Sequence, residues 1–324
     1  MQSFDSENNI DFTAVLVSYN TASLLPDAIG ALRKAANSLS LQTIIIDNAS
    51  RDDSVALIRR DYADCKLIVN DKNVGFGRAN NQAVPLIHGR YILLLNTDAF
   101  VAPDTLDKTV TYMDAHPECG ALGVKLVGRD GVLQPSCRYF PTPLNIFLWK
   151  TGLHRLFPWV KLMDDMGWDH ASVRACDWVP GCYFLIRREV VEQVGLFDPR
   201  YFLYYEEVDL CFAVKKAGWQ IHYFPDTTVV HIGGESAKSD SNITSAGRQI
   251  EAFQIESELL YFRKNQGVIA VWLCVLLQTL SDFIVPLKRM LKLKGKVGWA
   301  DHLAHARLYW TLFLQTNYGN KQTR

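Results

Sequence analysis

Short apolar runs that end abruptly in a polar residue recur along the first part of the chain. Residues 13–18 (TAVLVS), 43–47 (TIIID), 66–70 (KLIVN) and 91–95 (YILLL) have the length and sharp ends of buried strands. The stretches between them predict helices over 22–39, 52–61 and 78–88. The early acids Asp52 and Asp53 suit a helix N-terminus, where the helix dipole favours negative charge. Strands alternating with helices predict right-handed βαβ units and a parallel sheet. The pattern continues with a helix from Pro103 to His116, a strand over 120–127 and a turn at 128–131. A further helix opens near Tyr204 and stops at Gly218, ahead of two strands over 220–225 and 227–231.

The regular pattern fails in two places. Residues 134–177 are punctuated by proline, rich in aromatics and without a sustained period, which predicts long loops with short helical pieces. Such loops on a rigid scaffold commonly carry specificity, although aromatics in a connection are more often packing. Residues 236–247 are rich in Ser, Asn, Asp and Gly and predict a mobile loop, a candidate lid. Beyond it, 249–265 reads as an amphipathic helix and 268–287 as an almost continuous apolar run broken by Gln278, Ser281, Asp282 and Pro286. Basic residues flank that run: Arg263 and Lys264 before it, and Lys288, Arg289, Lys292, Lys294 and Lys296 after it. An acid at membrane depth is costly, so a helix lying in the interface is physically easier than a span. A helix packed on the main domain or in a homo-oligomer is the competing reading. A last helix, over 299–316, carries Tyr309 and Trp310. The expected organisation is a flexible N-terminus (1–11), an α/β domain (12–235), a mobile loop (236–248) and a helical, membrane-associating or oligomerising region (249–324).

Charge changes this picture little. The 34 basic and 34 acidic residues cancel, which argues against a general nucleic-acid binder. The cysteines number seven and form no C-x-x-C pair, so neither a disulfide framework nor a zinc site is expected. The polar, acidic start MQSFDSENNIDF lacks the basic and apolar segments of a signal peptide, and a cytoplasmic setting is expected.

Chemistry concentrates where apolar runs end. Asp47 and Asp98 follow strands, the position at which open α/β sheets bind ligands. Asp98 is suited either to a metal or to capping the helix after Pro103. Glu206, Glu207 and Asp209 fall within one helical turn and cannot all face one way. His231 ends its own apolar strand. The segment 73–78 (NVGFGR) follows the third strand and lacks the third glycine of a dinucleotide fingerprint, and no Walker A sequence is present.

Taken in order, Val17-Ser18-Tyr19-Asn20, Asp47-Asn48-Ala49-Ser50, Asn73-Val74-Gly75-Phe76, Leu95-Asn96-Thr97-Asp98, Trp178-Val179-Pro180-Gly181, Phe197-Asp198 and Glu206-Glu207-Val208-Asp209-Leu210 resemble family 2 glycosyltransferases of GT-A fold. The pattern is similar to the rhamnosyltransferase-like branch that builds bacterial surface polysaccharides. The resemblance covers about residues 12–235. It implies a mixed, Rossmann-like sheet flanked by helices, and inverting transfer of a sugar from a nucleoside diphosphate donor to a saccharide or polyprenol-linked acceptor. L-Rhamnose or another deoxy-sugar from a dTDP donor is the expected substrate. The expected location is the inner face of the membrane, peripherally.

The resemblance also implies roles for individual residues. Val17, Tyr19, Asn20, Asp47, Asn73, Gly75, Arg78, Asn96 and Thr97 would form the donor side. Asp98 and His231 would hold Mg²⁺ or Mn²⁺, and Trp178 and Gly181 would lie on the acceptor side. The general base would come from Glu207, with Glu206 and Asp209 as the other candidates. The chain departs from the family at Glu207, where an Asp is usual, at Asn96, which replaces the first acid of an Asp-x-Asp motif, and at Ala213, where the branch often has Arg. These departures motivate an alternative reading, a catalytically weak nucleotide-sugar-binding or scaffolding subunit. A nucleotidyltransferase is disfavoured, since the first strand is followed by no phosphate loop rich in glycine and lysine.

Overall fold

Strand β1 (Phe12–Ser18) is buried along almost its whole length, with only Val17 and the flanking loop partly exposed. A strand apolar on both faces belongs in the interior of a sheet covered by helices. In the computed structural model, which describes residues 10–36, 38–233, 247–291 and 298–324, β1 has exactly that surrounding sheet on either side. It pairs in parallel with β2 (Leu41–Asp47) and β4 (Tyr91–Leu95), and β2 pairs in parallel with β3 (Lys66–Val69). The connecting helices are α1 (Leu25–Ala35), α2 (Ser54–Asp61) and α3 (Phe76–Asn81).

Beyond β4 the sheet changes sense. Its order is β3-β2-β1-β4-β9-β6-β10-β5, where β5 is Ala99–Val101, β6 Cys119–Val127, β9 Tyr183–Arg187 and β10 Gln220–His231. Strand β9 runs antiparallel to both β4 and β6, and β5 antiparallel to β10, while β6 and β10 are parallel. Two short strands, β7 (Leu133–Gln134) and β8 (Arg174–Cys176), pair with β6 and β10. The sheet is therefore mixed, as the family resemblance implies, and the wholly parallel sheet expected from alternation alone holds only for its first half. Alternation reports which elements follow each other; it cannot report that β9 inserts between β4 and β6.

Other local expectations need correction. The third helix closes at Asn81, with a separate 3-10 turn at Val84–Leu86, because Pro85 breaks the helical run expected to His88. The two final strands are one, β10, with its register slipping between Phe224 and Thr228. Pro225, lacking an N–H, lies in that bulge. The segment 134–177 contains a regular helix, α5 (Pro143–Thr151), which starts on a complete capping box: Thr142 accepts from the Asn145 backbone N–H, and Asn145 accepts in return from that of Thr142. Between β5 and β6 lies α4 (Thr105–Ala115), and α6 (Arg188–Val194) and α7 (Glu206–Lys216) precede β10. The N-cap of α4 is Asp104, so capping of that helix is not what occupies Asp98.

The chain separates into two compact units. The first comprises 1–138, 166–199 and 206–245 and contains the whole sheet. The second comprises 139–165, 200–205 and 246–324. It holds α5 and the helices α8 (Gly247–Asn265), α9 (Gly267–Leu291) and α10 (Trp299–Gln315). The loop expected at 236–248 falls outside the described residues up to 246, as do Lys292, Lys294 and Lys296.

Candidate active site

Because β1 is flanked by β2 on one side and β4 on the other, the chain reverses direction of travel across the sheet at β1. In an open α/β sheet the crevice outside the carboxyl ends of strands at such a point is the natural ligand site. The side chains at that edge are those singled out by sequence. Val17 near the end of β1 and Tyr19 and Asn20 just after it are half-buried, and Asn20 takes a positive φ of 54°. Its loop is tied to the one after β2: the Asn20 N–H donates to Ser50 Oγ at 3.0 Å, and the Arg51 N–H to Asn20 Oδ1 at 2.7 Å. At the end of β2, Asp47 Oδ1 accepts from the Ser50 N–H at 3.0 Å, whereas its buried Oδ2 has no hydrogen-bond partner.

The glycine loop before α3 rests on a network of amides. Asn48 Oδ1 accepts from the Val74 N–H at 3.0 Å, and Asn48 Nδ2 donates to Asn73 Oδ1 at 2.9 Å. Asn73 Oδ1 also accepts from the Gly75 N–H at 2.9 Å. Gly75 adopts φ 91°, a conformation in which a side chain would be strained, so the glycine is required by the turn itself. Asn73 and Gly75 therefore shape the loop. Arg78 Nε donates to the Pro199 carbonyl at 2.7 Å.

Asp98 and His231, 133 positions apart by subtraction of their numbers, are brought together by strand pairing. The turn after β4 closes with the Ala99 N–H on the Asn96 carbonyl at 3.1 Å and leads directly into β5. The register of β5 on β10 sets His231 opposite Ala99, and the Ile232 N–H donates to the Asp98 carbonyl at 3.0 Å. The result is an Asp98 carboxylate oxygen 3.6 Å from His231 Nε2. Asn96 is half-buried beside the pair in sequence, and Thr97 is buried.

Gln134 determines which face His231 presents. Gln134 Nε2 donates to the His231 carbonyl at 2.8 Å, so the amide oxygen must face the ring, where it lies 2.9 Å from Nδ1. An acceptor there requires Nδ1 to carry the hydrogen. Burial lowers the His231 pKa, opposed by the negative charge of Asp98, and the ring is held neutral. Nε2 therefore keeps its lone pair, 3.6 Å from a carboxylate oxygen. Two acceptors facing each other at this distance fit a cation between them, with one oxygen and one nitrogen ligand. Among the described residues, no group of three or more His, Cys, Asp and Glu forms such a site.

The second centre lies at the start of α7. Tyr204 and Tyr205, immediately before it, both take positive φ, 71° and 67°. Glu206 and Asp209 are buried, each 3% exposed, and Glu207 is half-buried. Burial and then the neighbouring charge of Glu207 push the Glu206 carboxyl well above its ordinary range, and its Oε2 is without a hydrogen-bond partner. Burial also raises Glu207, against the Gly181 backbone N–H and the positive charge of Arg138. Arg138 lies 4.2 Å from the centroid of the Trp178 ring, and the two residues form an isolated β-bridge. Trp178 is itself 4% exposed, so it backs Arg138 from inside the protein. Burial, and then the charges of Asp98 and Glu207, push the thiol of Cys182, just before β9, up strongly. One buried thiol thus lies within electrostatic reach of both centres.

Sequence reading missed Gln134, Arg138 and Cys182. Gln134 follows the turn 128–131, and a hairpin there would have carried it back along β6 toward the end of the sheet. Arg138 and Cys182 have no pattern-level signal.

The mixed sheet flanked by helices is the GT-A architecture, and comparison with known proteins gives the family. The chain belongs to glycosyl transferase family 2, whose model matches residues 13–195. It is 29% identical over 233 residues to the N-acetylglucosaminyl-diphospho-decaprenol L-rhamnosyltransferase of Mycobacterium tuberculosis, covering 64% of this chain and 74% of the relative. It is 26% identical over 219 residues to rhamnosyltransferase WbbL of Escherichia coli, covering 60% of this chain and 80% of the relative. Among solved structures, the mannosyltransferase PcManGT from Pyrobaculum calidifontis, in complex with GDP-Man and Mn²⁺, superposes with a TM-score of 0.54 at 17% identity, over 98% of this chain and 86% of that one.

Proposed function

We propose that the chain is an inverting, metal-dependent glycosyltransferase that moves L-rhamnose or a related deoxy-sugar from a dTDP donor to a lipid-linked saccharide, in the biosynthesis of a surface polysaccharide. The rhamnosyl transfer named for the relatives in M. tuberculosis and E. coli supports the sugar, and the diphospho-decaprenol in the former name supports a lipid-linked acceptor. The observation that carries the chemistry is the pairing of Asp98 with the Nε2 lone pair of His231, near a half-buried carboxylate of raised pKa at Glu207.

On this reading the residues divide the work. The unpartnered Asp47 Oδ2 accepts an N–H of the nucleotide base, while Tyr19 and Asn20 border the pocket. Asp98 and His231 supply ligands to Mg²⁺ or Mn²⁺. The ion, when bound, neutralises charge developing on the diphosphate leaving group. Glu207 takes the proton of the acceptor hydroxyl as that oxygen attacks the anomeric carbon, and its raised pKa makes it a stronger base than an exposed glutamate. The Gly181 N–H and Arg138 hold the carboxylate that receives the proton. Glu206, buried and neutral, keeps a second negative charge away from Glu207.

The test is a panel of nucleotide sugars, each offered with Mg²⁺ or Mn²⁺ and scored for transfer and hydrolysis. Turnover with a dTDP-deoxy-sugar is expected. No turnover with any donor would overturn the catalytic reading, and tight calorimetric binding without chemistry would instead identify a binding subunit.

A further inference from the structure

Helix α9 is long and apolar enough to cross a membrane by length and composition. The side chains say otherwise. Its polar residues Gln278, Ser281 and Asp282 all lie on its buried face. Asp282, the helix's sole acid, is 4% exposed and surrounded by partners from within the helical unit. His305 Nδ1 lies 2.5 Å from Oδ2, and His302 Nδ1 and Lys150 Nζ lie 3.3 and 3.5 Å from Oδ1. Lys150 also donates to Gln278 Oε1 at 3.0 Å. These partners belong to α5 and α10, so protein encloses one side of α9 along its length.

The other side is bare. Ile269, Leu273, Leu276, Leu280, Phe283 and Leu287 are between 44% and 73% exposed. Their spacing of three, four and seven places them on one stripe, about 80° wide at ~3.6 residues per turn. At about 1.5 Å per residue the helix is roughly 37 Å long. No charged residue interrupts this stripe between Ile269 and Leu287. Where Lys288 Nζ reaches the Thr151 carbonyl, at 2.6 Å, α5 gives way to a turn that adds exposed Leu156, Phe157 and Trp159.

We infer that α9 docks this stripe into the surface of an anionic lipid bilayer and lies in its plane without crossing it. An apolar stripe flanked by basic residues matches that interface: acyl chains cover the stripe while phosphates meet the cations. Arg263 and Lys264 precede the helix, exposed Arg289 lies in its last turn, and the sequence continues with Lys292, Lys294 and Lys296. A second copy fits less well, because pairing two such stripes in either direction sets basic ends against basic ends. Crossing fits less well too, since it would carry the Asp282 cluster and its surrounding helices into hydrocarbon. The inference deepens the lipid-linked acceptor of the proposed function and can be tested apart from it.

The full chain is floated with vesicles of phosphatidylglycerol and phosphatidylcholine, and with phosphatidylcholine alone. It is expected to float with the anionic vesicles, to be released by alkaline carbonate, and to lose at least tenfold in bound fraction in the variant Leu276→Glu/Leu280→Glu. Near-UV circular dichroism establishes that the variant is folded, as expected for exposed positions. Retained flotation of the folded variant, resistance to carbonate, or a dimer that the variant converts to monomer without any vesicle binding by the parent would each overturn the inference. Calorimetry of nucleotide-sugar binding separates the two readings. Donor binding without flotation sinks only the docking surface, and flotation without donor binding sinks only the proposed function.

Discussion

Both units bury carboxylates, and they treat them in opposite ways. In the helical unit, Glu256, Glu258 and Asp282 each have partners on both oxygens. Glu258 accepts from Tyr205 at 2.9 Å, Tyr309 at 3.1 Å and Cys274 at 2.9 Å. Glu256 is held by the Thr323 backbone and hydroxyl and by Arg324. Asp282 has two histidines and a lysine. In the sheet unit, Asp47 and Glu206 each keep a buried oxygen without a hydrogen-bond partner, and Asp98 faces a lone pair. A buried acceptor left unmet costs about 1–3 kcal/mol, so it persists where something other than stability requires it. Saturated carboxylates hold the helices together; on the proposed reading, the open oxygens of Asp47 and Asp98 await a ligand's donors and charge, and Glu206 stays neutral.

The sharpest way to break this comparison is to remove one acid from each side. Glu207→Gln should lower kcat by about 10²- to 10⁴-fold, the usual contribution of a general base, while leaving donor binding intact by calorimetry. A near-normal rate would move the base elsewhere. Asp282→Ala should do the reverse, costing about 3–5 kcal/mol in denaturant unfolding by stranding Lys150 and His305, with donor affinity unchanged.

Asp282 also gives the comparison a pH signature. Burial alone would raise its carboxyl, but His305, Lys150 and His302 outweigh it and hold the pKa below the ordinary 3.8. Its stabilisation is therefore complete above that value and is lost as pH falls through the lower, folded-state pKa. Acid unfolding curves of Asp282→Asn should lack this component.

Smaller effects sharpen the open side. Gln134→Leu removes the acceptor that keeps the Nδ1 hydrogen in place, and should weaken Mn²⁺ binding by about 10- to 100-fold, read by titration of the metal. Glu206→Gln tests the orphaned oxygen. Because the folded carboxyl is raised above its ordinary 4.5, the native state loses stability as pH climbs from that value through the folded pKa. The glutamine variant should lose that decline, so unfolding curves from pH 4 to 8 should show it gaining on the parent. A parallel decline in both would place Glu206 in a different environment.

Several of these residues were legible before any coordinates. Asp47 and Asp98 stand out because a buried strand that stops at an acid puts charge where the sheet edge opens. The parallel half of the sheet was legible for the same reason: its strands are continuous apolar runs. The antiparallel half was not. Strand β5 is only Ala99–Val101, too short for a period, yet its pairing with β10 is what carries Asp98 to His231. Helix α5 was hidden inside a proline-punctuated segment, although its Thr142-Pro143-Leu144-Asn145 start carries a capping signal in which Asn stands for the more usual Glu or Gln.

The Glu206, Glu207 and Asp209 cluster shows where reading by spacing ends. Helical geometry requires the three to point differently, but spacing alone leaves open which is reachable. Burial answers that: Glu207 is the half-exposed member, held by the Gly181 N–H and Arg138, two groups brought from distant segments.

By itself, then, the sequence determined the strands that end in an acid, the family resemblance, and the apolar character of residues 268–287, because those depend on local order and period. Only the tertiary structure decided how strand register brings His231 to 3.6 Å from Asp98, a pair the resemblance had implied, that Gln134 fixes the hydrogen on Nδ1, and that Asp282 is matched inside protein while the opposite face of the same helix stays bare. Each of these depends on groups far apart in the chain, and a contact of that kind is set by strand register and helix packing, which no local pattern encodes.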